Sequence, residues 1–352
     1  LEGGLAPADA ARHVPAIDWQ KVAGIDAALA RIKDPARRIA RQRSLPDWLA
    51  AELVADRGAE EADRLAAALG ERAPMTVRAN TLRNSTAELI DELAREGITA
   101  HAGALATTAV HIDTRTNLFA TAAFKAGRFE AQDEGSQLIA ELVAPPPRSR
   151  LVDYCAGAGG KTLALSAAMA SAGRIAACDV DRRKLAELKK RARRAGASNI
   201  ESVELAGEGL PPPLRSLERN TARVLVDAPC SGVGALRRNP EARWRLDPAD
   251  LQRMPELQLS IARRALDLVA PGGRLVYATC TLLRAENQAV VERLLAENPD
   301  LSLLPPKDIW GAARAAPVTD ATGSFMELLP HRHGTDGFFA AVLRRKPPAP
   351  GP

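Results

Sequence analysis

Cys230 and Cys280 each follow a short apolar run. Val224 to Val226 leads into Asp227-Ala-Pro-Cys-Ser-Gly232, and Leu275 to Tyr277 leads into Ala278-Thr-Cys-Thr281. Such runs read as strands buried on both faces of a parallel sheet. A third run, Leu151 to Asp153, opens into the small-residue turn Cys155-Ala-Gly-Ala-Gly-Gly-Lys161. Ligands of open parallel sheets bind beyond the carboxyl ends of the strands. Two thiols, the carboxylate of Asp227 and a glycine turn are therefore expected in one cleft, a set suited to methylating a pyrimidine carbon. C5 of a cytosine is a poor nucleophile, but thiolate addition at C6 makes the ring enamine-like and able to accept a methyl group. The C5 proton must then leave so that the thiol can be eliminated. This chemistry needs a nucleophilic Cys, an acid or hydrogen-bond partner at N3 and a basic group near C5. Cys280, Asp227 and Cys230 can fill these roles, though spacing does not say which takes which.

Free cysteines are most often small buried hydrophobes. That reading suits Cys178, inside the apolar run Arg174 to Asp179, while Cys155 can simply pack beside a cofactor. Cys230 and Cys280 stand apart because both fall at strand ends.

The turn Cys155-Ala156-Gly157-Ala158-Gly159-Gly160-Lys161-Thr162 admits three readings. A phosphate-binding Walker loop needs Gly where Cys155 stands. A dinucleotide GxGxxG needs Gly or Ala where Thr162 stands. The remaining reading is an S-adenosylmethionine turn, whose small residues let the backbone approach the cofactor. Asp179, ending the next strand, is placed to accept hydrogen bonds from a ribose diol, a role that would serve NAD equally. A tight turn without any ligand is the remaining alternative.

These residues need a scaffold. From Leu151 on, strands alternate with helices, the pattern of a parallel α/β sheet. The strands are expected at Leu151–Tyr154, Arg174–Asp179, Ile200–Leu205, Arg223–Asp227 and Arg274–Ala278, with a last strand from Phe338 to Leu343. Helices are expected at Thr162–Ser171, Arg182–Ala195, Asp250–Val269 and Arg284–Asn298, preceded by one capped at Gln132–Gln137 and running to Val143. Upstream, Ala10 to Arg72 reads as helical, with Pro35 and Pro46 each opening a helix at its first turn. A small α+β module follows: a strand at Met75–Ala79, a capping box of Ser85 and Glu88, a helix stopped by Gly97, and strands near Val110–Ile112 and Gly127–Glu130. The expected division is residues 1–74 helical, 75–131 the small module, 132–346 the sheet domain and 347–352 a disordered Pro-rich tail.

The net charge is +5, a mild basic excess compatible with a nucleic-acid partner and equally with a merely soluble protein. Arg31, Lys33, Arg37, Arg38, Arg41 and Arg43 form a basic run that is either a solvated helix face or a phosphate contact. Arg78 and Arg83 are expected on the surface of the small module, as RNA contacts. Arg237 and Arg238, soon after Cys230, are expected to grip phosphates, and Trp244 either stacks on a base or anchors a core. The run Lys189 to Arg194 reads as a solvated face. The four cysteines lack the paired spacing of a zinc site, and His331 and His333 have no evident partners, so no metal is expected. With no apolar run of membrane-spanning length and no export signal, a cytoplasmic monomer away from membranes is expected.

The segment from Pro74 to Arg345 resembles the Sun/Fmu (RsmB-like) family of RNA cytosine-5 methyltransferases. The resemblance rests on Arg78-Ala-Asn-Thr-Leu82, Gln132-Asp-Glu-Gly-Ser-Gln137, Asp153-Tyr-Cys-Ala-Gly-Ala-Gly-Gly-Lys-Thr162, Asp227-Ala-Pro-Cys-Ser-Gly232, Thr279-Cys280 and Leu329-Pro-His-Arg-His-Gly-Thr-Asp-Gly-Phe338, in that order. It implies a Rossmann-like class I methyltransferase sheet whose last strand is antiparallel, S-adenosylmethionine as cofactor and RNA, most often ribosomal RNA, as substrate. It also implies that Cys280 is the nucleophile, that Cys230 assists product release, and that Asp227 touches both cofactor and base. Glu208, where the family more often has Asp, would contact the adenine side. The family's usual Cys-Ala-Ala-Pro-Gly-Gly-Lys turn is departed from at Gly157 and Ala158, which is expected to loosen cofactor binding. Alternatives are a tRNA or DNA cytosine-5 methyltransferase, or an RNA-binding ribosome assembly factor without turnover.

Overall fold

A computed structural model describes residues 11, 12, 14, 16–19, 22, 24–207 and 209–347. Two sheets organise it. The smaller is antiparallel, with β1 (Met75–Ala79), β2 (Ala100–Ala102), β3 (Ala109–Ile112) and β4 (Phe129–Ala131) in the order β2-β3-β1-β4. The helix Thr86–Arg95 starts at the capping box of Ser85 and Glu88 and buries Leu89 and Leu93 against this sheet. Gly97, at φ 75°, ends it in the left-handed conformation that favours glycine.

The larger sheet contains β5 (Arg150–Asp153), β6 (Arg174–Asp179), β7 (Ile200–Glu204), β8 (Thr221–Asp227), β9 (Val269–Thr279), β10 (Leu301–Leu303), β11 (Met326–Leu328) and β12 (Phe338–Arg345). Its order is β10-β12-β9-β8-β5-β6-β7, with β11 also on β12. Strands β5 to β9 are parallel and β12 is antiparallel to β9, the Rossmann-like sheet the resemblance implies. The chain leaves β5 toward β6 on one side and later returns to β8 on the other. A crevice therefore opens between the carboxyl ends of β5 and β8. Alternate residues of the central strands feed two cores. Val152, Val224, Val226 and Tyr277 face the helix Asp250–Leu266, while Leu151, Leu225 and Val276 face the helices Glu134–Val143 and Gly160–Ala168.

The described N-terminal helices are Ile25–Ala30, Pro35–Gln42, Asp47–Arg57 and Ala59–Gly70. Pro35 takes the expected first-turn place, but Pro46 stands one position earlier, as the cap. Leu49, Leu53, Leu65 and Leu69 of this bundle pack against Val233, Leu236, Leu282 and Leu283, which follow the two cysteines. The bundle thus braces both cysteine loops from behind.

Several elements differ from expectation. Strands β2, β10 and β11 are three residues each, too short to show periodicity. The expected helix Arg284–Asn298 splits into a 3-10 turn at Arg284–Glu286 and a helix at Gln288–Glu297. The break lies where the Glu286 and Asn287 side chains turn back to bond the Cys280 loop. The run Lys189 to Arg194 is only partly solvated: Arg191 and Arg194 both grip the buried carboxylate of Glu130, joining the small sheet to the helix Arg182–Ala195. Residues 348–352 of the expected tail lie outside the described residues. No helix among the described residues is long and apolar enough to cross a membrane.

Candidate active site

The loops after β8 and β9 bring Cys230 and Cys280 together, their Sγ atoms 3.4 Å apart and both thiols free and half-buried. Backbone bonds at Gly234, four residues past Cys230, tie the two loops together. Gly234 N–H donates to the Cys280 carbonyl at 2.9 Å, and Gly337 N–H donates to the Gly234 carbonyl at 2.8 Å. A Cβ on Gly234 would fall 2.2 Å from the carbonyl oxygen of Gly337, so only glycine permits this approach.

The pair is electrically lopsided. The hydrogen bond between the thiols, together with burial, pushes Cys230 well above the usual thiol range. The same bond, against burial, holds Cys280 below that range, with the Asp227 carboxylate pushing it up and the Lys161 cation drawing it down. The asymmetry favours ionisation at Cys280 over Cys230. Cys178 is fully buried in β6, where burial pushes its thiol up, in keeping with a packing role.

Lys161, at the start of the helix Gly160–Ala168, places Nζ 2.6 Å from Asp227 Oδ2. Burial disfavours its charge, but the Asp227 carboxylate outweighs this and raises its pKa. Asp153, at the end of β5, accepts from Thr162 Oγ1 at 2.7 Å and is pushed by burial up to about 7.

A cavity of about 530 Å³ opens beside the thiols, lined by Cys155, Gly157, Asp179 and Asp227 among the expected residues. Asp179 accepts from Gly157 N at 2.8 Å and Asp181 N at 2.8 Å, fixing its carboxylate at the rim. The other turn residues serve differently. Ala156 is buried, the Ala158 carbonyl accepts from Arg191 at 2.8 Å, and Gly159 packs on Leu188. Gly160 opens the helix, and Lys161 turns to Asp227. Sequence reasoning missed Val180, Leu205 and Ile261, which give the cavity an apolar wall, and Lys184 and Arg264, which give it positive charge. Periodicity could have suggested Val180, an apolar residue just past a strand end. Glu208 lies outside the described residues, although its neighbours Gly207 and Gly209 line the cavity.

The arginines depart most from expectation. Arg78 is 3% exposed, donates to Gln132 Oε1 at 2.7 Å and is pushed by burial down to about 10. It fastens the small sheet to the larger domain and offers nothing to an external phosphate. Arg83 stays on the surface, with Nε 3.4 Å from the Ala195 carbonyl. Arg237 donates to the carbonyls of Gly334, Thr335 and Arg72, and Arg238 is paired with Asp336 and Asp133. Both guanidinium groups already have internal acceptors, yet both line a second cavity of about 500 Å³ together with Arg72 and Arg115. Trp244 is 66% exposed and anchors no core. His331 bonds Glu61 and His333 bonds the Pro317 carbonyl.

Comparison with known proteins bears on the fold and the family. Residues 140–344 match the family described as 16S rRNA methyltransferase RsmB/F, and residues 45–118 match the ferredoxin-like domain of the same proteins. A probable ribosomal RNA small subunit methyltransferase B of Bacillus subtilis is 35% identical, covering 90% of this chain and 69% of its own length. The crystal structure of PH0851 superposes with a TM-score of 0.80 at 30% identity, covering 89% of this chain and 69% of that one. A methyltransferase homolog from Pyrococcus horikoshii superposes with a TM-score of 0.74 at 26% identity, covering 89% of this chain and 100% of that one. The chain belongs to the RsmB/F family of S-adenosylmethionine-dependent ribosomal RNA methyltransferases.

Proposed function

We propose that this chain methylates C5 of a cytosine in small-subunit ribosomal RNA through a covalent bond between Cys280 and C6. The observation that carries this reading is the pair of free thiols, 3.4 Å apart at the ends of adjacent strands, beside a cavity that contains Asp227. The cavity fits the cofactor. Each Asp179 oxygen already accepts one backbone N–H and has lone pairs left for the ribose hydroxyls. Val180, Leu205 and Ile261 offer an apolar wall to a flat base, and Gly157 leaves the backbone open. When bound, S-adenosylmethionine supplies an electrophilic methyl group.

The Cys280 thiolate adds to C6, and the C5–C6 π pair moves toward C5. The protonated Lys161, held on Asp227, offsets the negative charge this builds on the ring. C5 then bonds the methyl carbon, whose former bonding pair stays with the cofactor sulfur. Once Cys280 is bonded to carbon, Cys230 no longer faces a thiolate, so the main influence holding its proton is gone. Cys230 gives its own proton to solvent and, as the thiolate, takes the C5 proton. The C5–C6 double bond re-forms as the C5–H pair moves into the ring, and the Cys280–C6 bonding pair leaves with the Cys280 thiolate.

Both faces of the target ring must be reached, so the cytosine is unpaired or flipped out. Residues 1–74 and 75–131 hold RNA while 132–346 perform the chemistry. Phosphates cross the second cavity, where Arg72 and Arg115 make no side-chain ion pair or hydrogen bond among the described residues. Arg237 and Arg238 shape its wall, and Arg83 lies on the exposed rim of the small module. The test is methyl-labelled S-adenosylmethionine offered with unmodified ribosomal RNA, tRNA and DNA in parallel. Label in ribosomal RNA as 5-methylcytosine, lost in Cys280→Ser, supports the reading. Full turnover in that variant overturns the covalent route.

A further inference from the structure

Glu286 is 1% exposed, yet among the described residues no cation is bonded to it. Its Oε2 accepts from Ser231 N at 2.9 Å and from Gln258 Nε2 at 2.7 Å, and its Oε1 accepts from Thr281 Oγ1 at 3.1 Å. Ser231 follows Cys230 and Thr281 follows Cys280, so one carboxylate ties together the residues adjoining both thiols. Gln258, from the helix Asp250–Leu266, also donates to the Pro229 carbonyl at 3.0 Å, immediately before Cys230. Ser231 Oγ and Thr281 Oγ1 close the ring at 2.7 Å. A buried carboxylate is costly to keep, and among the described residues this one recovers its lost hydration from groups on the two cysteine loops and the helix behind them.

We propose that Glu286 is a positioning residue for the two thiols: it clamps the Cys230 loop to the Cys280 loop and, by the placement of its carboxylate, sets which of the two sulfurs is the more reactive. This rests on the two-thiol reading above. Four charged groups bear on the pair. Glu286 acts on Cys230, while Lys161, Asp227 and Asp336 act on Cys280. Glu286 disfavours a Cys230 thiolate, while at Cys280 the Asp227 and Asp336 carboxylates oppose ionisation and Lys161 favours it. The bias that Glu286 adds therefore falls on the Cys230 side.

Glu286→Gln is a nearly isosteric probe of the charge. Its amide oxygen can still accept from Ser231 N and Gln258, and its NH₂ can donate to the Thr281 hydroxyl. Gln258→Leu and Thr281→Val each remove one donor and leave the charge. Each full-length protein is treated with iodoacetamide at pH 8 without RNA or cofactor, quenched early, and its modified peptides are quantified by mass spectrometry. In the parent chain Cys280 is expected to react at least about tenfold faster than Cys230, a bias equivalent to about one pKa step. Glu286→Gln is expected to narrow that ratio to about threefold or less, with methyl-transfer kcat falling and KM for RNA unchanged. Gln258→Leu and Thr281→Val are expected to narrow it less, and they decide the matter if Glu286→Gln does not fold. A parent ratio retained in all three variants overturns the role given to Glu286. A parent protein that shows no preference for Cys280 overturns the two-thiol reading itself.

Discussion

Replacing Lys161 by Met, of similar length and without charge, separates the role seen here from the cofactor contact its place in the glycine turn suggests. Nζ lies 2.6 Å from Asp227 Oδ2, and the two side chains are 10% and 31% exposed. At an effective dielectric of about 20 the gross attraction at that distance is about 6 kcal/mol. Desolvation of the buried ammonium cancels much of it, and breaking a fully buried pair costs about 3–5 kcal/mol. Asp227, nearly a third exposed, can regain water when its partner is removed, so the expected loss is about 2 kcal/mol. That appears as a melting temperature lower by several degrees. The second effect is chemical. Without the cation, Cys280 loses a group that holds its pKa down, and the midpoint of its alkylation–pH curve is expected to rise. The thiolate fraction at pH 7, and with it the rate of adduct formation, falls accordingly. Affinity for S-adenosylmethionine, measured by calorimetry, is expected to change much less. An unmoved alkylation midpoint together with a large loss of cofactor affinity would refute this assignment of Lys161.

Three further outcomes are expected. Asp153 has a native pKa of about 7, against about 3.8 when unfolded, so the native state holds an extra proton between these values and stability falls as pH rises through them. Asp153→Asn escapes that loss, and its stability relative to the parent, measured by urea melts, should improve by about 2–3 kcal/mol between pH 5 and pH 8; a difference independent of pH would show that the burial of Asp153 has been misread. Alanine at both Arg72 and Arg115 should weaken RNA binding and flatten its logarithmic salt dependence by about 1.5, leaving cofactor affinity intact; an unchanged slope would move the phosphate path elsewhere. Arg78→Met should lower the melting temperature without changing that slope, since the guanidinium is enclosed at 3% exposure; a flattened slope would restore it as an RNA contact.

The elements near the site were legible because their signals are local. β6 and the helix Arg182–Ala195 fall on their expected bounds, and the capping box at Ser85 is formed as read. Continuous apolar runs marked β5, β8 and β9, and their shared direction is enough to bring Cys230, Cys280 and Asp227 together. What was not legible is pairing across distance. Lys161 and Asp227 are 66 residues apart, and Glu286 reaches Ser231 across 55. No periodicity links such positions. The arginines show the same limit from another side. Sequence gives the charge of Arg78, Arg237 and Arg238 but not the carbonyls and carboxylates that the folded chain turns toward them. An exposed phosphate contact and an internal tie look alike until the fold supplies the acceptors.

The covalent route is tested most directly by trapping its intermediate. Cys230→Ser, incubated with S-adenosylmethionine and unmodified small-subunit ribosomal RNA, should accumulate a protein–RNA adduct that survives denaturant. Nuclease digestion and peptide mapping should place a methylated cytosine on Cys280. Normal methylation with no adduct, or an adduct on any residue other than Cys280, would contradict the division of labour between the two thiols.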